Sequence, residues 1–154
     1  MKNQSNHRSF AVWLLIVLQF LLGLGALISG AMMIAFPDGS LFQMPLSMLK
    51  YSPFSNFLIP GIILFTTVGV FPLAVAYSLW RKPTWRWPEA LNPAKQLHWS
   101  WAASLAAGVI VLIWISVQLL MIRAVSFLHP FYYIWGLLLI LLTLTPAVRR
   151  YCAR

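Results

Sequence analysis

With 154 residues, 61% of them hydrophobic and only 8% charged, the chain lies outside the range of a soluble domain, and lipid is the expected solvent for most of it. Its formal net charge of +9 comes from 11 Lys and Arg against two acids, Asp38 and Glu89, but the cations cluster at the ends of long apolar runs, which excludes a nucleic-acid partner. The single cysteine, Cys152, excludes an intramolecular disulfide and the thiol pair that quinone-linked disulfide-forming membrane enzymes need.

The first apolar run, residues 10–36, is too long for the apolar region of a signal peptide despite the preceding Lys2 and Arg8, and it reads as a retained transmembrane helix. Gly25 with Ser29, and Ala26 with Gly30, form a small-residue face on it, for which Ala102, Ala103, Ala106, Ala107 and Gly108 of the third run are the expected partners within the bundle. The connection 37–54 begins at the turn signal Pro37-Asp38-Gly39 and is too apolar to float in water, so it is expected to lie on the membrane, to re-enter it, or to cap the bundle. The second run, 57–80, follows Ser52-Pro53, read as N-cap and first helical residue, and carries Pro60 and Pro72 as expected kinks.

A basic, Trp-rich connection, 81–97, interleaves Arg81, Lys82 and Arg86 with Trp85 and Trp87. It reads as an interfacial anchor, and these five residues are the candidates for contact with anionic lipid headgroups. The third run, 99–122, ends at Arg123, and the fourth, 131–148, is announced by His129-Pro130 and an aromatic cluster. The predicted fold is thus an all-α membrane protein: a single domain over 1–154 forming a four-transmembrane-helix bundle. Placing the N-terminus in the cytoplasm puts nine Lys and Arg inside (Lys2, Arg8, Arg81, Lys82, Arg86, Lys95, Arg149, Arg150, Arg154) and only Lys50 and Arg123 outside, so both termini are expected to be cytoplasmic.

The stretch from Ser52 to Gly61, with Pro37-Asp38-Gly39-Ser40-Leu41 and Met44-Pro45-Leu46 before it, resembles a segment of an uncharacterised family of small four-helix bacterial integral membrane proteins. The resemblance covers the first two helices and their loop. It implies a bacterial inner-membrane location and supplies no catalytic residue.

Candidate polar residues are few. About 13 Å into the membrane from opposite sides, Gln19 of the first helix and Thr66 or Thr67 of the second reach similar depth, while Gln118 lies level with Ser29, so two polar layers are expected. On the outer side, Asp38 and Arg123 are candidates for an ion pair that pins the loop over the bundle. His98 and His129 fall at opposite ends of the bundle, cannot share a metal or a haem, and read as interfacial caps.

No Asp or Glu occurs in any apolar run, which counts against proton-coupled transporters, small multidrug exporters and intramembrane metalloenzymes. The sequence therefore points away from an enzyme and names no cofactor. The expected role is an interaction or accessory subunit of a membrane complex, with membrane lipids and another membrane protein, or a second copy, as partners. The alternative is a protein that binds or carries a lipid or small apolar molecule in a cavity opened by the kinked second helix beneath the 37–54 loop.

Overall fold

The computed structural model describes residues 8–123 and 126–154, and over these the chain is helical apart from its connections and one isolated bridge between Leu97 and Ala153. Lys2 and His7 lie outside the described residues. The helices are α1 (Phe10–Ala35), α2 (Leu58–Arg81), α3 (Arg86–Leu91), α4 (Trp99–Ile122), α5 (Leu128–Leu144) and α6 (Pro146–Cys152). α1, α2 and α4 are each long and apolar enough to cross a membrane, and α5 with α6 makes a fourth span if the two are taken as one bent by 62°.

The fourth run is thus not the single helix 131–148 expected from its apolarity. Pro146 has no N–H to donate back into α5, and Thr145 leaves the helical conformation and caps α6 by accepting the Val148 N–H at 3.5 Å. The second helix begins later than its Ser52-Pro53 signal suggests. Ser52 instead closes a local turn, donating to Leu49 O and accepting from Phe54 N–H, while the Asn56 side chain accepts the Leu58 N–H at 3.0 Å.

This later start leaves Pro60 in the first turn of α2, where its missing N–H costs nothing and no kink is needed. Ahead of Pro72, α2 widens into a π-helical segment, Leu64–Val70, in which the Phe71 N–H reaches back to Thr66 O. Thr66 and Thr67 return their hydroxyls to Ile62 O and Ile63 O at 2.8 and 2.7 Å, so their own helix uses them.

Helices pair as hairpins, α1 along α2 and α4 along α5. Each pair closes on glycine. A Cβ on Gly30 would stand 2.8 Å from the Phe65 backbone nitrogen and 2.9 Å from Gly61 O, and one on Gly108 would stand 3.0 Å from Gly136 O. This corrects the expected pairing of the first helix's small-residue face with Ala102–Gly108: Gly30 faces α2, Gly108 faces α5, and Gly25 meets nothing within 4 Å. The glycines that decide the geometry, Gly61 and Gly136, sit on the partner helices.

Arg8, the start of α4 and the end of α6 meet at one end of the bundle, the basic end; residues 37–57 cover the other, the loop end. The aliphatic side chains with 0% exposure, among them Val12, Leu15, Leu79, Leu139 and Val148, all lie in the basic half.

Candidate functional site

Three small polar side chains form a directed chain across the basic half. Gln19 Nε2 donates to Ser104 Oγ at 3.1 Å, Ser104 Oγ lies 2.9 Å from Thr143 Oγ1, and Thr143 Oγ1 donates to Leu139 O at 2.7 Å. Because Thr143 gives its only proton to Leu139, Ser104 must donate to Thr143, and Gln19 must present its amide NH2 to Ser104. All three residues have 0% exposure, and Gln19 Oε1 has no partner. The first predicted polar layer therefore exists at Gln19 but not with Thr66 or Thr67: equal depth did not mean facing sides, and Ser104 and Thr143 occupy the place assigned to them.

Closer to the basic end the side chains interlock. Arg8 Nη2 donates to Trp80 O at 2.6 Å and its Nε to Tyr151 Oη at 3.2 Å, while Tyr151 Oη donates to Leu79 O at 2.8 Å. Lys82 donates to Tyr151 O and lies 3.7 Å over the Tyr151 ring, and burial holds its pKa below the usual lysine value. His98 caps α4: its Nδ1 accepts the Ser100 N–H, so the proton sits on Nε2, which donates to Pro83 O at 3.0 Å. Both ring nitrogens are engaged, and burial lowers the imidazole pKa. Arg154 pairs with Glu89, the only salt bridge among the described residues.

The five headgroup candidates separate here. Trp85 stacks between Tyr77 and Trp99 at centroid distances of 6.2 and 5.5 Å, Lys82 is turned inward, and Arg81 lies 4.6 Å over Trp80. Arg86 borders a recess of about 530 Å³, and Trp87 is 72% exposed on α3. Of this set Arg81, Trp85, Arg86 and Trp87 are exposed, and Lys82 is the one turned inward.

The loop end is built differently. Two short 3₁₀ turns, Ser40–Phe42 and Leu46–Leu49, fold the 37–54 connection back over the bundle, and Phe57 N–H closes it on Pro37 O at 2.8 Å. Gly39 takes a left-handed conformation, φ 76°, that places Met44 N–H on its carbonyl. The predicted Asp38–Arg123 pair does not form. Asp38 Oδ1 accepts the Ser40 N–H and hydroxyl at 3.1 and 2.8 Å, which lowers its pKa, while Arg123 lies 4.0 Å over the Tyr51 ring. An arginine does tie α4 to the loop, through an aromatic face instead of a carboxylate.

Beneath this cover lies a cavity of about 300 Å³. Leu22, Ala26 and Ser29 of α1, Leu64 and Val68 of α2 and Trp114, Ile115 and Gln118 of α4 form three of its walls. Tyr132 and His129 of α5 form the fourth, and Met44 and Met48 of the loop lie over it. A second cavity of about 180 Å³ adjoins it, sharing Met44, Trp114, Gln118 and Ile122. The widened segment of α2 contributes Leu64 and Val68. Ser29 and Gln118, the second predicted layer, do line one space together, but no hydrogen bond joins them among the described residues. Met44, Met48 and Tyr132 read from the sequence as apolar-loop and interfacial aromatic residues and Trp114 as an ordinary helix residue, so none of them was a site candidate.

Among the described residues no group of three His, Cys, Asp or Glu is placed to hold a metal ion. No family model matches the chain, and no curated protein or solved structure matches it.

Proposed function

We propose that the chain is a non-enzymatic, multi-pass membrane protein that binds a small apolar or amphipathic molecule in the cavity beneath its 37–57 segment. The observation that carries this reading is the cavity itself: about 300 Å³, walled by all four long helices and covered by a methionine-bearing loop. Binding sites for small molecules combine apolar walls with a few polar groups, and 300 Å³ lies at the lower end of their volume range. Methionine side chains adapt their shape to irregular apolar ligands. In our reading the protein sits in a bacterial inner membrane with both termini cytoplasmic, so that the loop end faces outward, and Arg86 and Trp87 contact anionic headgroups inside.

One observation favours a second reading, an accessory subunit that docks on another membrane protein or on a second copy. Gly25 opens a notch in α1 with nothing within 4 Å, flanked by the exposed Leu21, Leu24 and Ile28. Native mass spectrometry of the protein released from lipid nanodiscs distinguishes the two. A stoichiometric small molecule that is lost in the cavity-filling variant Ala26→Phe supports binding, whereas a stoichiometric protein or a homodimer that is lost in Gly25→Leu supports docking. Neither adduct in the wild type would overturn both.

A further inference from the structure

We infer that the cavity receives an uncharged amphiphile whose polar head is a hydrogen-bond acceptor, a carbonyl or ester oxygen, with the Nε2–H of His129 as its principal donor; this rests on the binding role proposed above.

His129 decides the matter through its tautomer. The Ser126 N–H donates to His129 Nδ1 at 3.0 Å, so Nδ1 presents its lone pair and the neutral ring carries its proton on Nε2. That Nε2–H has no partner among the described residues, although the residue is only 8% exposed and lines the cavity. Because His129 lines the cavity, an acceptor on a ligand can reach this N–H, and a donor left without an acceptor in apolar surroundings is costly, so a ligand acceptor here removes that cost.

Three further groups repeat the pattern. The Gln118 amide, the Ser29 hydroxyl and the Tyr132 hydroxyl all belong to cavity-lining residues and have no hydrogen-bond partner among the described residues. Every one of them can donate, and the two hydroxyls and the Gln118 carbonyl can also accept, so His129 is the group that fixes an acceptor head. They sit on α4, α1 and α5, so their residues approach a head from three sides.

Charge restricts the head further. Among the described residues no Asp, Glu, Lys or Arg lines the cavity. An ammonium or carboxylate head would therefore enter apolar surroundings without a counter-charge, a transfer that is strongly unfavourable. The nearest cation in sequence, Arg123, is stacked on Tyr51. Donor-rich, uncharged surroundings suit an ester or ketone oxygen, and the volume suits one chain or one ring system.

The test uses the full chain in nanodiscs and straight chains of about ten carbons with different heads: methyl decanoate, 2-undecanone, decane, decanoate and decylamine. Equilibrium binding is measured for each, with Ala26→Phe in the same nanodiscs giving the background from bilayer partitioning. The ester and ketone should bind at least about tenfold more tightly than decane, decanoate or decylamine. The variant His129→Asn keeps an acceptor for the Ser126 N–H while losing the Nε2–H, and it should abolish the preference without abolishing decane binding. Tyr132→Phe should reduce the preference by a smaller factor and serves if His129→Asn does not fold. If all heads bind equally above background, or a charged head binds best, the head assignment is wrong while the binding role stands. If no probe exceeds the Ala26→Phe background, the binding role and the inference fall together.

Discussion

The two ends of the bundle answer the same problem, polar groups in an apolar setting, in opposite ways, and two histidines show the contrast in miniature. His98 at the basic end and His129 at the loop end both accept a backbone N–H on Nδ1 near a helix start. His98 then passes its Nε2–H to Pro83 O, whereas His129 keeps its own unpartnered at a cavity wall. The basic half extends this economy to Ser104, Thr143, Tyr151, Lys82 and the Gln19 amide nitrogen, though not to Gln19 Oε1, while the loop half leaves Ser29, Gln118 and Tyr132 without partners among the described residues beside about 300 Å³ of space. In the proposed reading one end holds the fold together and the other receives a ligand.

Packing gives the largest expected difference between the halves. Leu139 has 0% exposure among fully buried neighbours, so Leu139→Ala should destabilise by about 2–5 kcal/mol in reversible unfolding in detergent. Leu22 lines the cavity and already lacks neighbours on one side, so Leu22→Ala should cost less than half as much. Equal losses would mean that the loop half is packed as tightly as the basic half.

Breaking the polar chain comes next. Ser104→Ala strands both the Gln19 amide and its link to Thr143, and should cost about 0.6–2 kcal/mol, with Gln19→Leu in the same background returning part of the loss. If Ser104→Ala is silent, the chain does not stabilise the basic half.

A smaller effect is expected at the cover. Removing the Arg123 guanidinium from the Tyr51 face should cost about 0.5–1 kcal/mol and raise proteolysis near Lys50, and Tyr51→Ala should do the same without adding to Arg123→Ala. Asp38→Ala should disturb only the Ser40 turn and leave the effect of Arg123→Ala unchanged.

The smallest is a pH effect at the basic end. Burial lowers the His98 pKa below 6.5, so the unfolded chain takes up this proton before the folded one does. The stabilisation is complete above pH 6.5 and is lost as the pH falls towards the folded-state value; His98→Gln should remove that part of the acid sensitivity, measured as the slope of stability against pH.

The long apolar helices, the capping role of His98 and a loop that folds over the bundle were legible because each depends on hydropathy or on residue type along the chain, whereas His129, expected as a cap, lies within α5, whose start has no side-chain cap. Partners across the bundle were not. Depth counting placed Gln19 level with Thr66 and Thr67, but it fixes height and not direction around the helix, and the true partners Ser104 and Thr143 come from two other helices. Asp38 and Arg123 were matched by opposite charge, although a serine two residues on and a nearby tyrosine ring were better placed. The apolar run through residue 148 concealed the break at Pro146, since hydropathy does not register a missing N–H. The cavity's polar groups were individually visible as Ser29, Gln118 and His129, and only the fold brings them to one space.

The contrast between a sealed half and an open half is tested most directly by thiol accessibility. Cys152 is the only cysteine and has 0% exposure in the basic half, and Ser29→Cys adds a thiol at the cavity wall. With a small uncharged methanethiosulfonate, the thiol at position 29 should react at least about tenfold faster than Cys152, and bound methyl decanoate should slow that reaction alone. Equal rates at the two positions, or faster reaction at Cys152, would contradict the account.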